Sequence, residues 1–121
     1  MKANENDILG RLIVLPKTFN AVGTISMNAL LKETGYCEFH DLFSETAIAD
    51  ALSLNPEIIN DWLEYSEDKR TSSGWYIKRG KKGAFIVGKV EMIENSEMTY
   101  TDKIKACAAF IKREVETIRQ G

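Results

Sequence analysis

Few residues in this chain combine type and spacing in a way that could do chemistry. The only histidine, His40, follows Cys37 by three positions, and Cys-x-x-His is half of a zinc set. The sequence offers no clear second half, because Cys107 stands alone 70 positions further on. A structural zinc site needs four ligands, so no metal is expected. Ser66, Ser72 and Ser73 have no local histidine to act as a base. Glu67 and Asp68, adjacent at a helix end, read as a solvated turn rather than an acid–base dyad. Gly80-Lys81-Lys82-Gly83 lacks the spacing of a phosphate loop and the Ser or Thr that follows its lysine. Glycine-rich dinucleotide fingerprints are missing too. The chain is expected to be non-enzymatic and to carry no cofactor.

The chemistry that remains is that of a surface. Residues 41–70 hold eight acids and two bases, whereas residues 71–90 hold five bases and no acid. The net charge of −2 therefore hides an acidic middle followed by a basic stretch. Segregated charge steers a complementary partner, although the two poles could equally be solvated faces that partly neutralise each other. The stretch from Trp62 to Ile77 joins the two poles. It holds both tryptophans and two of the four tyrosines, and it reads either as core or as interface.

These residues need a frame to hold them. With 121 residues and 44% hydrophobic content, the chain fits one domain (1–121) with one core. The longest aliphatic run, Leu12 to Leu15, is far short of a membrane span. The polar start has no apolar segment of the signal-peptide kind, so a cytoplasmic location with unpaired cysteines and no membrane partner is expected.

Ile8, Leu9, Leu12 and Ile13 fit a short helix capped by Asn6 or Asp7, but Leu12 to Leu15 could equally be a strand. Pro16 is expected to end either element, leaving residues 17–23 as a connection. Thr24 or Ser26 can cap a helix that stops at Gly35, and residues 35–40 read as a link. Ser44 caps a helix over 45–53, and Asn55-Pro56 opens another. That second helix has Ile58, Ile59, Trp62, Leu63 and Ser66 on its inner stripe and Glu57, Asp61, Glu64 and Asp68 on its wet face. Trp75–Arg79 and residues 84–90 form a hairpin around the Gly-Lys-Lys-Gly turn. Thr99 or Thr101 caps a last helix over 101–119. Its inner stripe is Ile104, Cys107, Ala108, Ile111, Val115 and Ile118, and Lys112, Arg113, Glu114 and Glu116 mark its outer side. The expected class is α+β, a mostly helical single domain of four or five helices with one antiparallel β-hairpin.

Two resemblances bear on function. The run Trp62-x-x-Tyr65-Ser66-Glu67-Asp68-Lys69-Arg70-Thr71-Ser72-Ser73-Gly74-Trp75-Tyr76 resembles small bacterial proteins, some of which are immunity proteins that neutralise a cognate toxin of contact-dependent or polymorphic toxin systems. This implies a cognate toxin domain, such as a nuclease, as the partner. Independently of that resemblance, an acidic face beside aromatics suits a basic partner, with Asp61, Glu64, Tyr65, Glu67, Asp68 and Tyr76 as the contact residues. The stretch 47–63 resembles a helix-turn-helix, and the basic hairpin resembles the wing of winged-helix proteins. This implies a DNA-binding regulator with Asn60, Lys78, Arg79, Lys81 and Lys82 on the nucleic acid. The acidic wet face counts against it, because phosphates repel carboxylates.

Overall fold

The computed structural model describes residues 5–22, 27–69, 75–89 and 97–120, except for the side chains of residues 5, 6, 20, 22, 27, 28, 68 and 69. The expected α+β class holds, with the helical part divided more finely than expected. Among the described residues there are seven α-helices: α1 (Glu5–Ile13), α2 (Leu15–Val22), α3 (Met27–Thr34), α4 (Tyr36–Phe39), α5 (Glu45–Leu54), α6 (Ile58–Lys69) and α7 (Lys103–Gln120). Three strands, β1 (Trp75–Arg79), β2 (Phe85–Lys89) and β3 (Met98–Tyr100), form one antiparallel sheet in the order β1-β2-β3.

Local chemistry explains these boundaries. Pro16 does not end a helix. It sits in the first turn of α2, where no backbone N–H is needed, so residues 15–22 are helical rather than a connection. The alternative of a strand over Leu12 to Leu15 is excluded by α1 and α2. The expected link after Gly35 is largely α4, followed by a 3₁₀ turn over His40–Leu42. Ser44 caps α5, its Oγ accepting the Ala47 amide at 3.2 Å. The cap of α7 is Asp102, not a threonine: its Oδ1 accepts the amides of Ile104 and Lys105 at 2.9 and 3.4 Å. Thr99 belongs instead to β3. The expected caps at Thr24 and Ser26 and the break at residues 71–74 lie outside the described residues.

Helix α7 is the centre of the fold. It packs on α3, α5, α6 and all three strands. Ala106, Cys107, Phe110, Ile111 and Val115 are buried on it, and burial pushes the Cys107 thiol up in pKa. Trp62 is the largest wholly buried side chain, at 0% exposure. Its ring meets Tyr65 and Phe110 edge-on, with centroids 5.6 and 6.0 Å away. Its Nε1 donates to the Ile13 carbonyl at 2.8 Å. That carbonyl ends α1, where helix geometry leaves acceptors without intrahelical donors, so one indole fills the core and pins α6 to the α1–α2 junction.

The hairpin tip is a tight turn in which Ala84 N–H donates to Lys81 O at 3.1 Å. Its two central residues, Lys82 (φ 55°) and Gly83 (φ 77°), are both left-handed, as a type I′ turn requires. A lysine tolerates that conformation less well than asparagine does. Lys82→Asn is therefore expected to stabilise the protein by about 0.5–1 kcal/mol, read as a higher urea midpoint. A lower midpoint would contradict this account of the turn.

Candidate functional site: a trough between an acidic helix and the basic hairpin

Helix α6 lies along the outer edge of β1. The buried Ser66 Oγ accepts the Ile77 amide at 2.8 Å, so helix and strand are joined by a side chain. This contact protects an edge that would otherwise be open to strand pairing. It also commits Ser66 to structure rather than to nucleophilic chemistry.

Two surface grooves flank this junction. One, of about 580 Å³, is lined by Leu63, Ser66, Glu67, Tyr76, Ile77, Lys78 and Arg79. The other, of about 330 Å³, includes Glu57, Asn60, Leu63, Arg79, Phe85 and Lys103. Leu63 and Arg79 line both, so the grooves meet in one trough with α6 as one wall and the hairpin as the other. The sequence separates acids from bases along the chain. The fold brings Glu57 and Glu67 into the trough with Lys78 and Arg79, whereas Asp61 and Glu64 line neither groove.

Among the described residues, Glu57, Asp61, Glu64 and Glu67 make no ion pair and no side-chain hydrogen bond. Glu57, Glu64 and Glu67 are exposed and Asp61 is half-buried. The side chain of Asp68 lies outside those described. Lys78 turns to Glu97 instead, at 3.5 Å. Arg79 stands 5.8 Å from the Phe85 ring centre, and Lys81 and Lys82 are exposed at the tip without an ion pair among the described residues. Among the described side chains, no ion pair joins Glu57, Asp61, Glu64 or Glu67 to Lys78, Arg79, Lys81 or Lys82.

The aromatic residues divide. Tyr65 is core, not an exposed anchor. Its hydroxyl donates to the carboxylate of Glu114, which is itself 0% exposed. Burial first, then the neighbouring carboxylate, raises the Tyr65 pKa, so its proton stays in place. Glu114 is thus not on the outer side of α7, because a tyrosine 49 positions away reaches in to bond it. Tyr76 does lie at the surface. Its ring crosses Gly88, where an added Cβ would come within 2.5 Å of the hydroxyl, so only glycine allows this placement. Its hydroxyl donates to Glu97 Oε2 at 2.5 Å. Partial burial, and then that bond and the Glu97 charge, push its pKa up to about 12, while the same bond lowers the Glu97 carboxyl. Trp75 is half-buried. Its Nε1 donates to Thr117 Oγ1 at 3.1 Å, and the Arg113 and Lys89 cations each lie 5.6 Å from its ring. Within this stretch Trp62 and Tyr65 are core, whereas Trp75 and Tyr76 are both half-buried.

A second polar cluster ties α4 to α7. Tyr36 donates to Glu116 Oε2 at 2.5 Å, and Lys112 Nζ donates to Tyr36 Oη and the His40 carbonyl at 2.7 and 3.1 Å. Arg119 makes two hydrogen bonds to the Glu116 carboxylate, 2.9 and 3.1 Å long. The Arg119 bonds foremost, with Tyr36 and Lys112, hold the Glu116 carboxyl down at about 2 against an ordinary 4.5. A depressed folded-state pKa adds stability that is complete above the unfolded value and disappears as pH falls through the folded one. Stability is thus expected to drop between about pH 5 and pH 2, more steeply in the parent than in Glu116→Gln. Superimposable acid unfolding curves for the two would contradict this. The Cys37-x-x-His40 spacing does not become a metal set among the described residues. Among the described residues, no group of three or more His, Cys, Asp or Glu side chains could hold an ion. His40 Nδ1 lies 3.1 Å from Asp41 Oδ1.

No described helix is long and apolar enough to cross a membrane. Compared with protein-family models, curated proteins and solved structures, the chain has no match.

Proposed function

We propose that this chain is a non-enzymatic protein-binding module of the toxin-neutralising, immunity kind. The ridge of α6 and the trough beside it dock a basic protein, a cognate toxin domain such as a nuclease, in the cytoplasm. The observation that carries this reading is the state of the carboxylates. Glu45, Glu97, Glu114 and Glu116 are each engaged within the protein. Asp61, Glu64 and Glu67 on α6, with Glu57 just before it, have no internal counter-charge among the described residues and stand beside a groove of about 580 Å³. Like charges on one helix face repel, so an opposite charge from outside relieves strain that the fold itself leaves. Buried in such an interface, lysines and arginines of a nucleic-acid-cleaving partner would find carboxylates where they otherwise hold phosphates.

The second reading is a winged helix-turn-helix regulator that binds DNA. The exposed Lys81 and Lys82 at the hairpin tip favour it. The packing of α5 and α6 does not. Their main contacts are with α7 and β1, respectively, rather than with each other as in a helix-turn-helix pair.

Capture of the tagged chain's partners from its native host at moderate salt tests the choice, with mass spectrometry and the 260/280 nm absorbance ratio as readouts. A stoichiometric basic protein is expected. Nucleic acid released as salt rises would put the DNA reading first.

A further inference from the structure

Glu97 stands just before β3 and lines neither groove of the trough, yet it holds two residues that do. Tyr76 and Lys78 are two apart on β1, so they share the face of the sheet opposite the buried Ile77. Both wall the groove of about 580 Å³, and both turn to the same carboxylate oxygen. Glu97 Oε2 accepts from the Tyr76 hydroxyl at 2.5 Å and lies 3.5 Å from Lys78 Nζ. The sheet is shaped for this contact. Tyr76 pairs with Gly88 of β2, and a Cβ at residue 88 would come within 2.5 Å of the Tyr76 hydroxyl and 3.0 Å of Glu97 Cγ. Only a bare backbone there lets the ring and the carboxylate meet above the strand.

Charge decides what this contact does. The groove is lined by two bases, Lys78 and Arg79, and one acid, Glu67. Left to itself, that lining would repel a cation. Glu97 adds a carboxylate from outside the groove and takes up one of the two positive charges. What remains beside the groove is Arg79, Glu67 and the acids of α6.

We propose that Glu97 is a positioning residue for the trough, drawing the Lys78 ammonium back over the sheet and fixing the Tyr76 ring as a wall, so that a lysine or arginine side chain of a partner can enter. This rests on the protein-binding reading and names the group that the trough admits. Glu97 has two separable jobs. The bond from Tyr76 needs only an acceptor oxygen, which glutamine also offers. The hold on Lys78 needs the negative charge. Glu97→Gln therefore keeps the wall and releases the lysine, and Lys78→Met then removes the released charge.

Fluorescence anisotropy of a labelled hexa-arginine peptide, titrated at low salt with the full chain, tests this. The parent is expected to bind the peptide and Glu64→Lys/Glu67→Lys to lose it. Glu97→Gln, with an unchanged circular dichroism spectrum, binds about three- to tenfold more weakly. Glu97→Gln/Lys78→Met returns to the affinity of the parent, which a merely structural role of Glu97 would not allow. Glu38→Gln removes the same charge from α4, away from both grooves, and changes the affinity by less than about twofold. Glu97→Gln binding as the parent does, or no recovery on adding Lys78→Met, overturns the inference and leaves the acidic ridge in place. A parent that does not bind the peptide, or a ridge variant that binds it equally, overturns the protein-binding reading and this inference with it.

Discussion

Trp62→Ala is expected to cost about 3–5 kcal/mol of unfolding free energy, lowering the melting temperature by roughly 10–20 °C. Two losses add. The cavity removes the ring contact to Tyr65 on the same helix and the contact to Phe110, which joins α6 to α7. The Ile13 carbonyl also loses its 2.8 Å donor where α1 ends. Trp62→Phe separates the two. It keeps much of the bulk and loses only the N–H, so about 1–2 kcal/mol is expected. Denaturant unfolding of the three proteins measures both steps. A Trp62→Ala variant within about 1 kcal/mol of the parent would mean that this residue does not organise the core.

The second large effect lies on the ridge. Glu64→Lys with Glu67→Lys reverses two exposed charges that make no internal pair among the described residues. Stability should stay within about 0.5 kcal/mol, as for surface changes away from special features. Association with a basic partner should slow by about tenfold or more, because steering and contact charge are both inverted. Asp61 is left unchanged in this variant because it is half-buried, and a lysine there would test packing as well as charge. Retained binding with an unchanged fold would remove the acidic ridge from the interface.

How much of this was legible in the sequence depended on whether the information was local. The inner stripe of α6 and the two strands of the hairpin follow from periodicity within one segment, as does most of the inner stripe of α7. Pro16 misled because the same residue suits a helix start and a helix stop, and only the following turn decides. β3 is three residues long, too short to display an alternating pattern. Glu114 and Tyr65 look like surface residues by type, and their burial comes from a pairing across 49 positions that no local pattern contains. The candidate site shows the same limit. Its acids and bases were visible as runs of charge. The meeting of Glu57 and Glu67 with Lys78 and Arg79 in one trough depends on how β1 packs along α6, where Ser66 Oγ accepts the Ile77 amide, and no local pattern contains that. Of the residues expected at a site, Glu67, Tyr76, Lys78, Arg79 and Asn60 line that trough, whereas Tyr65 sits in the core behind it.

The most direct measurement is a parallel capture from the native host with three tagged baits: the parent chain, Glu64→Lys/Glu67→Lys, and Lys81→Glu/Lys82→Glu. One basic protein is expected at stoichiometric yield on the parent and on the hairpin-tip variant, and its loss from the ridge variant. Equal recovery of that protein on the ridge variant, or nucleic acid that disappears only with the tip variant, would contradict it.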